Sequence, residues 1–444
     1  MNNLKISILS ILILTGILSS KAQTSFTLQE AIDYALENNR TAISAEKGID
    51  AAYKQKWETT ADGLPQVNGS AGYNYWLKQQ LTVLPGEFLG QPKGTFAQVA
   101  FGTPNTFSGS ISVSQKIFDG SYLVALQSAK VFLEISKNQK EKTDIQVKEQ
   151  VINAYGNVLM AQESVKITKQ NIKTLKKNLF ETQQMFENGL VEEENVEQLQ
   201  ITLGTLENNL NNLNRLVNIG ERMLNITMGR GLHNEIVASD DLESLSIANM
   251  SLKMANESGS ISNNIDYRMA QNDLKSKELL LMLEKTKALP TFDVTFQTAV
   301  AGNGTTFDAT MRVPDLIPSN LLAFNLRVPI FSSFKRHAGT QRKKIELQQA
   351  ELNLTDIEQK LQLQLEQAQS EYQFAMESLK TTKKNLKLAE RIEAKNQIKF
   401  NEGIASSFDL RQAQTQLYST QQEYIQSMQN VINKKATLET IINN

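Results

Sequence analysis

The sequence predicts an α+β membrane protein with an internal duplication, in which four β-strands per chain lie between long α-helices. Three observations lead to this fold class. The eight prolines of the 444-residue chain all fall in two windows, Pro65 to Pro104 and Pro290 to Pro329. Each window carries strands of alternating apolar and polar residues, and a turn motif at Gly189 returns at Gly403.

The N-terminus has the features of an exported protein. Lys5 precedes a largely apolar stretch from Ile6 to Leu18, which is too short to span a bilayer, and small residues follow it. This order is typical of a signal peptide, which we predict at residues 1–22 with cleavage after Ala22. A buried N-terminal strand or helix is the alternative.

Outside the two windows the chain is predicted to be helical, because proline is excluded from helix interiors by its missing N–H and its ring clash. The clearest helix follows Gly189, where apolar residues step by alternating threes and fours, as in a helix that packs lengthwise on a partner. These residues are Val196, Leu199, Leu203, Leu206, Leu210, Leu213 and Val217. We predict helices from about Leu28 to Asp62, Ser121 to Glu187, Glu192 to Met228, Asn264 to Ala288, Arg336 to Asn401 and Ser407 to Ile442. At about 1.5 Å per residue the two longest would each reach on the order of 100 Å.

The proline windows contain four stretches with strand periodicity, at residues 64–76, 107–118, 290–300 and 321–331. Each has roughly the ten-residue length and the two-faced pattern of a membrane β-strand. The residues predicted to face lipid are Val67, Tyr73, Ile111, Val113, Phe292, Val294, Phe296, Phe324, Leu326 and Val328. A half-buried hairpin on a soluble sheet is the alternative, and the Gly-, Pro- and Thr-rich linkers within each window are expected to be exposed loops.

Four strands cannot line a membrane alone, because two open edges would leave unpaired backbone groups in lipid. Two copies would supply about eight strands, whose interior fills with side chains, whereas three would supply about twelve and leave room for a pore. The serines, asparagines and Arg327 of the polar faces suit a water-filled lumen. We therefore expect a homotrimer that closes a 12-stranded β-barrel in a membrane.

The turn motif indicates that the chain is duplicated. Residues 186–191 (FENGLV) match residues 400–405 (FNEGIA), and apolar and glutamine positions beyond them recur at the same separation. A constant separation is the mark of an internal repeat, although two unrelated helix C-caps could look alike. We predict a first repeat at 23–229, a linker or equatorial region at 230–262 and a second repeat at 263–444. Each repeat should run helix, strand, loop, strand, long helix, turn and helix, and both turn glycines should be left-handed.

The order of these motifs resembles the outer-membrane efflux protein family typified by TolC. The residues that carry the resemblance are Ser25 to Ala31 with Asn38-Asn39, Leu64-Pro65, Ile117 to Gly120, Leu289-Pro290, Val328 to Phe331 and the two glycine turns. It implies a trimeric barrel in outer-membrane lipid, continuous with a long α-helical coiled-coil barrel in the periplasm of a Gram-negative cell. It also implies a passive exit duct for efflux or type I secretion, served by an inner-membrane pump and a periplasmic membrane-fusion adaptor. A periplasmic coiled-coil structural or adaptor protein without a pore is the alternative; it would not need the four strands.

Carried over by position, the resemblance implies two sites. The adaptor would dock on Gly189, Leu190, Val191, Gly403, Ile404 and Ala405, which must in any case end their helices. Asp409 falls on the acidic constriction of the tunnel mouth, and Gln412 stands where a second aspartate is often found, so this mouth should be less acidic. A run of glutamates after the first turn could add charge or simply stabilise its helix dipole. These glutamates are Glu192, Glu193, Glu194 and Glu197.

The sequence contains no catalytic constellation, so we expect no enzyme activity, no cofactor and no metal site. His233 and His337 lie far apart and in no motif, and neither a phosphate-binding loop nor a nucleophile elbow is present. The absence of cysteine excludes disulfides and a lipid anchor on cysteine. A formal net charge of −1 implies no nucleic acid partner. One departure from the repeat, Ser332-Ser333 in place of Asp119-Gly120, puts the turn geometry there in doubt.

Overall fold

The computed structural model describes residues 25–251 and 261–442, and the fold is given for those residues. The predicted signal peptide, residues 1–22, lies outside these ranges, and so do residues 252–260 of the predicted linker. No helix in the described ranges is long and apolar enough to cross a membrane.

The secondary structure alternates helices with pairs of strands. In chain order the strands are β1 (Ser25–Phe26), β2 (Gln66–Tyr75), β3 (Leu81–Pro85), β4 (Phe96–Ala100), β5 (Asn105–Asp119), β6 (Val237–Ala238), β7 (Thr291–Gly304) and β8 (Ile317–Arg327). The helices are α1 (Leu28–Asn38), α2 (Arg40–Ala61), α3 (Gly120–Glu187), α4 (Glu193–Thr227), α5 (Leu242–Ala248), α6 (Ile265–Thr286), α7 (Phe307–Met311), α8 (Lys335–Asn401) and α9 (Ser407–Ile442). Short 3₁₀ turns lie at Gly86–Leu89, Ile261–Asn263 and Val313–Asp315.

The chain divides into two compact units, and each unit draws on both halves of the sequence. The first unit takes in the described residues of Met1–Gly48, Asn138–Arg268 and Asp356–Asn444. The second comprises Ile49–Lys137 and Met269–Thr355.

The second unit is built around a four-stranded antiparallel sheet with the order β2-β5-β7-β8. β5 and β7 pair at the centre, from Asn105 opposite Gly304 to Asp119 opposite Thr291, with one register shift between Lys116 and Phe118. The central pairing therefore joins a strand of the first half of the sequence to a strand of the second.

The last strand is displaced from its predicted position. β8 spans Ile317–Arg327 instead of 321–331, so Val328, predicted to face lipid, lies one residue beyond it. The ladder ends at the pair of Arg327 with Thr291, the first residue of β7, and neither Pro290 nor Pro329 beyond it has an N–H to extend the pairing. Pro318 lies inside β8 opposite Val300, which is tolerated because β8 is an edge strand.

The two linkers predicted to be exposed loops contain structure. β3 and β4 pair as an antiparallel hairpin, with Leu81 opposite Ala100 and Pro85 opposite Phe96. In the second window β7 continues to Gly304, and α7 follows it with its N-terminus capped by the Thr306 side chain. Glycine and threonine have low helix propensity and mark loops in a sequence, but strand pairing and a cap satisfy their backbone here.

The predicted first helix is broken at Asn39, and the break recurs in the second repeat at Asn264. Asn39 Oδ1 accepts from the N–H of Thr41 at 2.7 Å, and its Nδ2 donates to the carbonyl of Thr227 at 2.7 Å. Asn264 caps α6 in the same way and donates to the carbonyl of Ile441 at 2.8 Å. Both asparagines are buried. Each therefore starts a helix and holds the end of the returning helix of its own repeat.

Tyr155 of α3 is fully buried in the core of the first unit and links three segments by hydrogen bonds. Its hydroxyl donates to the carbonyl of Phe26 at 2.8 Å and lies 2.9 Å from Oδ2 of Asp240. The same carboxylate oxygen accepts from the N–H of Leu28 at 2.7 Å. Burial raises the pKa of the Tyr155 hydroxyl, so it stays protonated and can donate. The predicted polar linker thus also has structure, since β6 pairs with β1 in parallel beside this contact.

The two strand-to-helix junctions differ, as the departure at Ser332-Ser333 suggested. In the first repeat β5 runs directly into α3, and Asp119 Oδ1 accepts from the N–H of Ser121 at 2.9 Å. In the second repeat Ser333 and Phe334 adopt left-handed φ values of 47° and 64°. The Arg336 guanidinium stabilises this turn by donating to the carbonyl of Pro329 at 2.7 Å.

Candidate membrane and docking surfaces

The register of the sheet gathers the predicted lipid-facing residues on one face. Val67, Val113, Phe296 and Leu322 form one continuous row, each paired with the next across the four strands. Directly paired residues project to the same side of an antiparallel sheet, and alternate residues of a strand share a face. The same face carries all of the predicted residues that lie within strands, namely Val67, Tyr73, Ile111, Val113, Phe292, Val294, Phe296, Phe324 and Leu326.

This face is apolar and uncovered. Val67 is 68% exposed, and Phe324 and Leu326 are each 65% exposed. Aromatic side chains gather at one end of it, where Tyr73 packs edge-on against Phe307 at 5.1 Å between ring centroids. Large apolar faces of this kind mark contact with lipid or with another protein, and an aromatic girdle is typical of a membrane barrel.

The opposite face of the sheet is mostly polar. Ser70 and Ser110 share a hydrogen bond of 2.8 Å across β2 and β5. Asn325 Nδ2 donates to Oδ2 of Asp293 at 2.9 Å across β8 and β7. Two large apolar residues also lie on this face, Leu321 opposite Gln297 and Ile317 opposite Ala301.

The sheet has two edges within the described chain, β2 and β8. Along the outer side of each, the backbone N–H and C=O groups have no strand partner in residues 25–251 and 261–442. Such edges are templates for pairing with another strand.

The two predicted glycine turns have the same geometry. Gly189 and Gly403 both have a φ of 72°. The N–H of Gly189 donates to the carbonyl of Phe186 at 2.8 Å, and that of Leu190 donates to Met185 at 2.9 Å. The second turn repeats both hydrogen bonds, at 3.0 and 2.8 Å. This is the Schellman arrangement that ends a helix at a left-handed residue.

Each turn presents one uncovered apolar side chain. Leu190 is 70% exposed and Ile404 is 72% exposed. In a Schellman turn this position commonly packs back onto its own helix, yet here both side chains remain in the open. Ser407 donates a hydrogen bond to Oδ1 of Asn195. This contact joins the first turn of α9 to the first turn of α4, the two helices that follow the glycine turns.

Asp409, the predicted gate residue, caps the start of α9. Its Oδ2 accepts from Ser406 Oγ at 2.7 Å and from the Ser406 N–H at 3.1 Å, and its own N–H donates to Ser406 Oγ at 3.2 Å. Hydrogen bonds from Ser406 hold the pKa of the Asp409 carboxyl below its ordinary value. Ser406-x-x-Asp409 is a capping box readable in the sequence, and the carboxylate remains exposed to solvent.

The neighbouring positions are also exposed. Gln412 lies one turn after Asp409 with its side chain open to solvent, and the Arg411 guanidinium lies 5.5 Å from the Phe408 ring centroid. Glu193 and Glu194 occupy the first turn of α4, where they complement the helix dipole. Glu192 and Glu197 beside them are exposed as well.

A second apolar seam on α4 was missed by the sequence reading. The predicted seam is buried at Val196 and Leu199 and half-buried from Leu203 onward. A separate series, also spaced by threes and fours, stays exposed within one chain; its members are Leu216, Ile219, Met223 and Ile226. The pattern is visible in the sequence, but the first seam masks it because both have the same period.

The surfaces described so far do not resemble a metal centre. Across residues 25–251 and 261–442, no three His, Cys, Asp or Glu side chains are grouped so that they could hold a metal ion.

The chain matches the sequence profile described as outer membrane efflux protein over residues 31–230 and 258–444. It is 28% identical over 213 residues to the outer membrane protein TolC of Vibrio cholerae serotype O1. That match covers 48% of this chain and 44% of the relative, so it spans less than half of the relative's length.

Several solved structures share the fold. The chain resembles CusC with a TM-score of 0.76 and 16% identity, covering 94% of this chain and 92% of the other. It resembles the Campylobacter jejuni CmeC outer membrane channel with a TM-score of 0.74 and 16% identity, covering 96% and 90%. It also resembles the outer membrane protein VceC of Vibrio cholerae with a TM-score of 0.70 and 12% identity, covering 94% of this chain and 96% of the other. At these identities the likeness establishes the fold.

The predicted resemblance and outer-membrane location are confirmed by the profile match, and the alternative of a periplasmic adaptor without a pore is not favoured. The mostly helical structure is consistent with the fold of the CusC and CmeC channels. This chain belongs to the outer membrane efflux protein family.

Proposed function

We propose that three copies of this chain form an outer-membrane exit duct that passively conducts substrates delivered by an inner-membrane pump and a periplasmic adaptor. The observation that carries the proposal is the four-stranded sheet with one apolar face, one polar face and two unpaired edges. In lipid, every unpaired backbone group costs several kcal/mol, so β2 of one copy would pair with β8 of the next.

Three copies fit the two faces of the sheet best. Twelve strands enclose a water-filled lumen, whereas about eight fill their interior with side chains. Polar contacts such as Ser70–Ser110 and Asn325–Asp293 then line the lumen, and Val67 and Phe324 meet lipid. The exposed seam that includes Leu216 and Met223 supplies a lengthwise contact for a helix of a neighbouring copy.

The turns supply the docking surface for the adaptor. The surface consists of Gly189, Leu190, Val191, Gly403, Ile404 and Ala405. It includes two uncovered apolar side chains, Leu190 and Ile404, each directly after the end of a long helix. Apolar anchors of this kind carry most of the affinity of a protein interface.

Asp409 and Gln412 form the gate of the duct. Three-fold symmetry makes each a ring, and a ring of carboxylates in a narrow pore favours cations. Asp409 does this while capping α9, because a single carboxylate can accept the Ser406 hydrogen bonds and still face solvent. With glutamine at the second position, the ring carries half the charge of a paired arrangement.

Mass measurement in detergent tests the assembly, and cross-linking tests its geometry. The chain has no cysteine, so Asn68→Cys on β2 and Ala323→Cys on β8 can be introduced without background. A bismaleimide should convert the double variant into covalent dimers and trimers. Ser112→Cys on the central strand β5, treated alone, is the matched control and should stay monomeric on a denaturing gel. A stable monomer or dimer by mass would remove the proposal.

A pull-down with the co-expressed adaptor tests the docking surface. Leu190→Ser combined with Ile404→Ser should reduce recovery of the adaptor, while Leu363→Ser, a change at another exposed apolar position on α8, should not. Trimer mass is measured for each variant, so a loss of adaptor is separated from a loss of assembly. Unchanged recovery with the double variant would end the docking role.

A further inference from the structure

The two long helices carry matching rows of cations that neither the barrel nor the docking turns use. Residues 163–173 (ESVKITKQNIK) recur as residues 377–387 (ESLKTTKKNLK), at the same separation as the two glycine turns. The repeated cations are Lys166 with Lys380, Lys169 with Lys383, Lys173 with Lys387, and Lys177 with Arg391. We name the two sets, one on α3 and one on α8, the basic stripes.

Each basic stripe lies on one face of its helix. Steps of three or four residues return a side chain to the same face, and each stripe covers about three turns. On α3 the opposite face is buried at Thr168, Ile172 and Leu175. Seven of the eight stripe residues are exposed and Lys383 is half-buried. The stripes lie roughly 20–35 Å along the helices from the glycine turns at 1.5 Å per residue.

Most of this charge is not neutralised within the chain. Lys166 pairs with Glu163 at 3.0 Å, Lys177 with Glu181 at 3.7 Å and Lys383 with Glu243 at 2.7 Å. The other five cations of the stripes have no carboxylate within ion-pair distance in the described part of the chain; they are Lys169, Lys173, Lys380, Lys387 and Arg391. The stripes therefore present a free positive potential.

The composition of the stripes distinguishes between kinds of partner. Protein interfaces are depleted in lysine and are centred on apolar or aromatic anchors. The shallow groove along the second stripe is lined by Lys380, Lys383, Lys384, Lys387, Leu388, Glu390 and Arg391, and Leu388 is its single apolar member, at 38% exposure. The glycine turns, with Leu190 and Ile404, have the opposite character. Flexible ammonium groups without anchors suit a polymer of many weakly localised negative charges.

We propose that the basic stripes bind the carboxylate-rich polymer of the cell wall. The proposal rests on the proposed function, because that function places the helical unit in the periplasm, where this polymer is. Three copies would present six stripes at one level of the helices. Multiple weak contacts of this kind add through avidity, so the wall could hold the duct without a specific pocket.

Co-sedimentation of the full-length trimer in detergent with purified peptidoglycan sacculi tests this. The test variant combines Lys169→Gln, Lys173→Gln, Lys380→Gln and Lys387→Gln. Since each lysine near an anionic surface contributes measurably, sedimentation should weaken roughly tenfold or more, and binding by the native trimer should fall steeply as salt rises. Arginine at the same four positions should restore binding.

The matched control removes four lysines elsewhere, by Lys54→Gln, Lys344→Gln, Lys395→Gln and Lys399→Gln. All four are exposed, and none is part of the repeated set. Equal losses in the control and test variants would overturn the proposal, because they would report net charge alone. No loss in the test variant would overturn it as well and leave the stripes as a solvated helix face.

Two further measurements separate other partners. If the test variant recovers less adaptor in a pull-down but still co-sediments with sacculi, the stripes bind an acidic protein and the proposal is wrong. If the test variant shows altered anion selectivity in a planar bilayer but still co-sediments with sacculi, the stripes face the pore and the proposal is again wrong. Trimer mass and outer-membrane fractionation are scored independently, so failure of the duct itself is recognised separately from failure of wall binding.

Discussion

Val294 and Phe324 lie directly opposite each other across β7 and β8, on the sheet face that carries the predicted lipid contacts. Their immediate neighbours, Thr295 and Ala323, are paired on the other face. One step along either strand therefore moves from the apolar face, which we propose meets lipid, to the polar face, which we propose lines the lumen.

Lysine on the apolar face should block assembly. Val294→Lys or Phe324→Lys should cost about 2–4 kcal/mol near the membrane midplane, whereas Thr295→Lys, one residue away, should cost little because it would face the water-filled lumen of the proposed barrel. The measurement is the urea midpoint of the reconstituted protein, with trimer yield as the second readout. Normal assembly of the Val294 and Phe324 variants would contradict the lipid-facing assignment.

Replacing either turn glycine by alanine should destabilise the turn between its two helices, and the left-handed backbone angle φ should be the only cause. At Gly189 and Gly403 an added Cβ would meet nothing within 4 Å, but φ is 72° at both. A left-handed residue with a Cβ costs roughly 1–2 kcal/mol.

Gly204 is the control for these variants, because a Cβ there also meets nothing within 4 Å and its φ is not left-handed. Gly204→Ala lies inside α4 and should stabilise by up to about 1 kcal/mol. Chemical denaturation of the three single variants should therefore give opposite signs. A turn variant as stable as the native protein would contradict the left-handed turn.

Removing the charge of Asp409 should change ion selectivity, and removing its cap should not. Asp409→Asn keeps the size of the side chain but abolishes the charge of the proposed ring, so cation selectivity in a planar bilayer should fall. Ser406→Ala removes the hydroxyl partner but keeps the carboxylate, so selectivity at neutral pH should persist. If both variants behave alike, Asp409 is only a helix cap.

The same pair predicts a pH dependence. Hydrogen bonds from Ser406 lower the pKa of Asp409 from its ordinary value of 3.8. The carboxylate is therefore charged above that value, and its contribution to selectivity is lost only as pH falls through the lowered pKa. Ser406→Ala should move this loss to higher pH, toward 3.8. Titration of the reversal potential measures the shift, and an unmoved titration would show that another group sets it.

Tyr155→Phe should loosen the first unit. The change removes the hydrogen bond to Phe26 and leaves Asp240 with one fewer donor, at a cost of about 1–3 kcal/mol for buried groups left unsatisfied. Hydrogen exchange at residues of β1 and β6 should accelerate. Tyr53→Phe, at a tyrosine that is 50% exposed, is the control and should have little effect.

The features that the sequence predicts well are those set by a local chemical rule. Proline placement located the strand windows, period-two alternation located the faces, and Gly189 and Gly403 could be assigned left-handed because few other residues adopt that conformation freely. Each rule acts over a few residues and leaves its signature in composition.

The features that were missed depend on partners distant in sequence. Asn39 ends a helix because its side chain caps the next one and reaches Thr227, which no local pattern shows. The pairing of β3 with β4 depends on registry across a Gly- and Pro-rich segment. The end of β8 was misplaced because apolar alternation continues past Arg327, although Pro329 has no N–H to extend the ladder. The capping contact of Asp409 was visible in the sequence as Ser406-x-x-Asp409, but the resemblance drew attention to the charge of this residue.

The pairing of β5 with β7 has a consequence for biogenesis. A polypeptide that stops before Thr291 contains β2 and β5 but not the strand that covers the other edge of β5, and contacts so remote in sequence form slowly. A gene truncated midway should therefore yield an exported polypeptide that cannot complete the sheet.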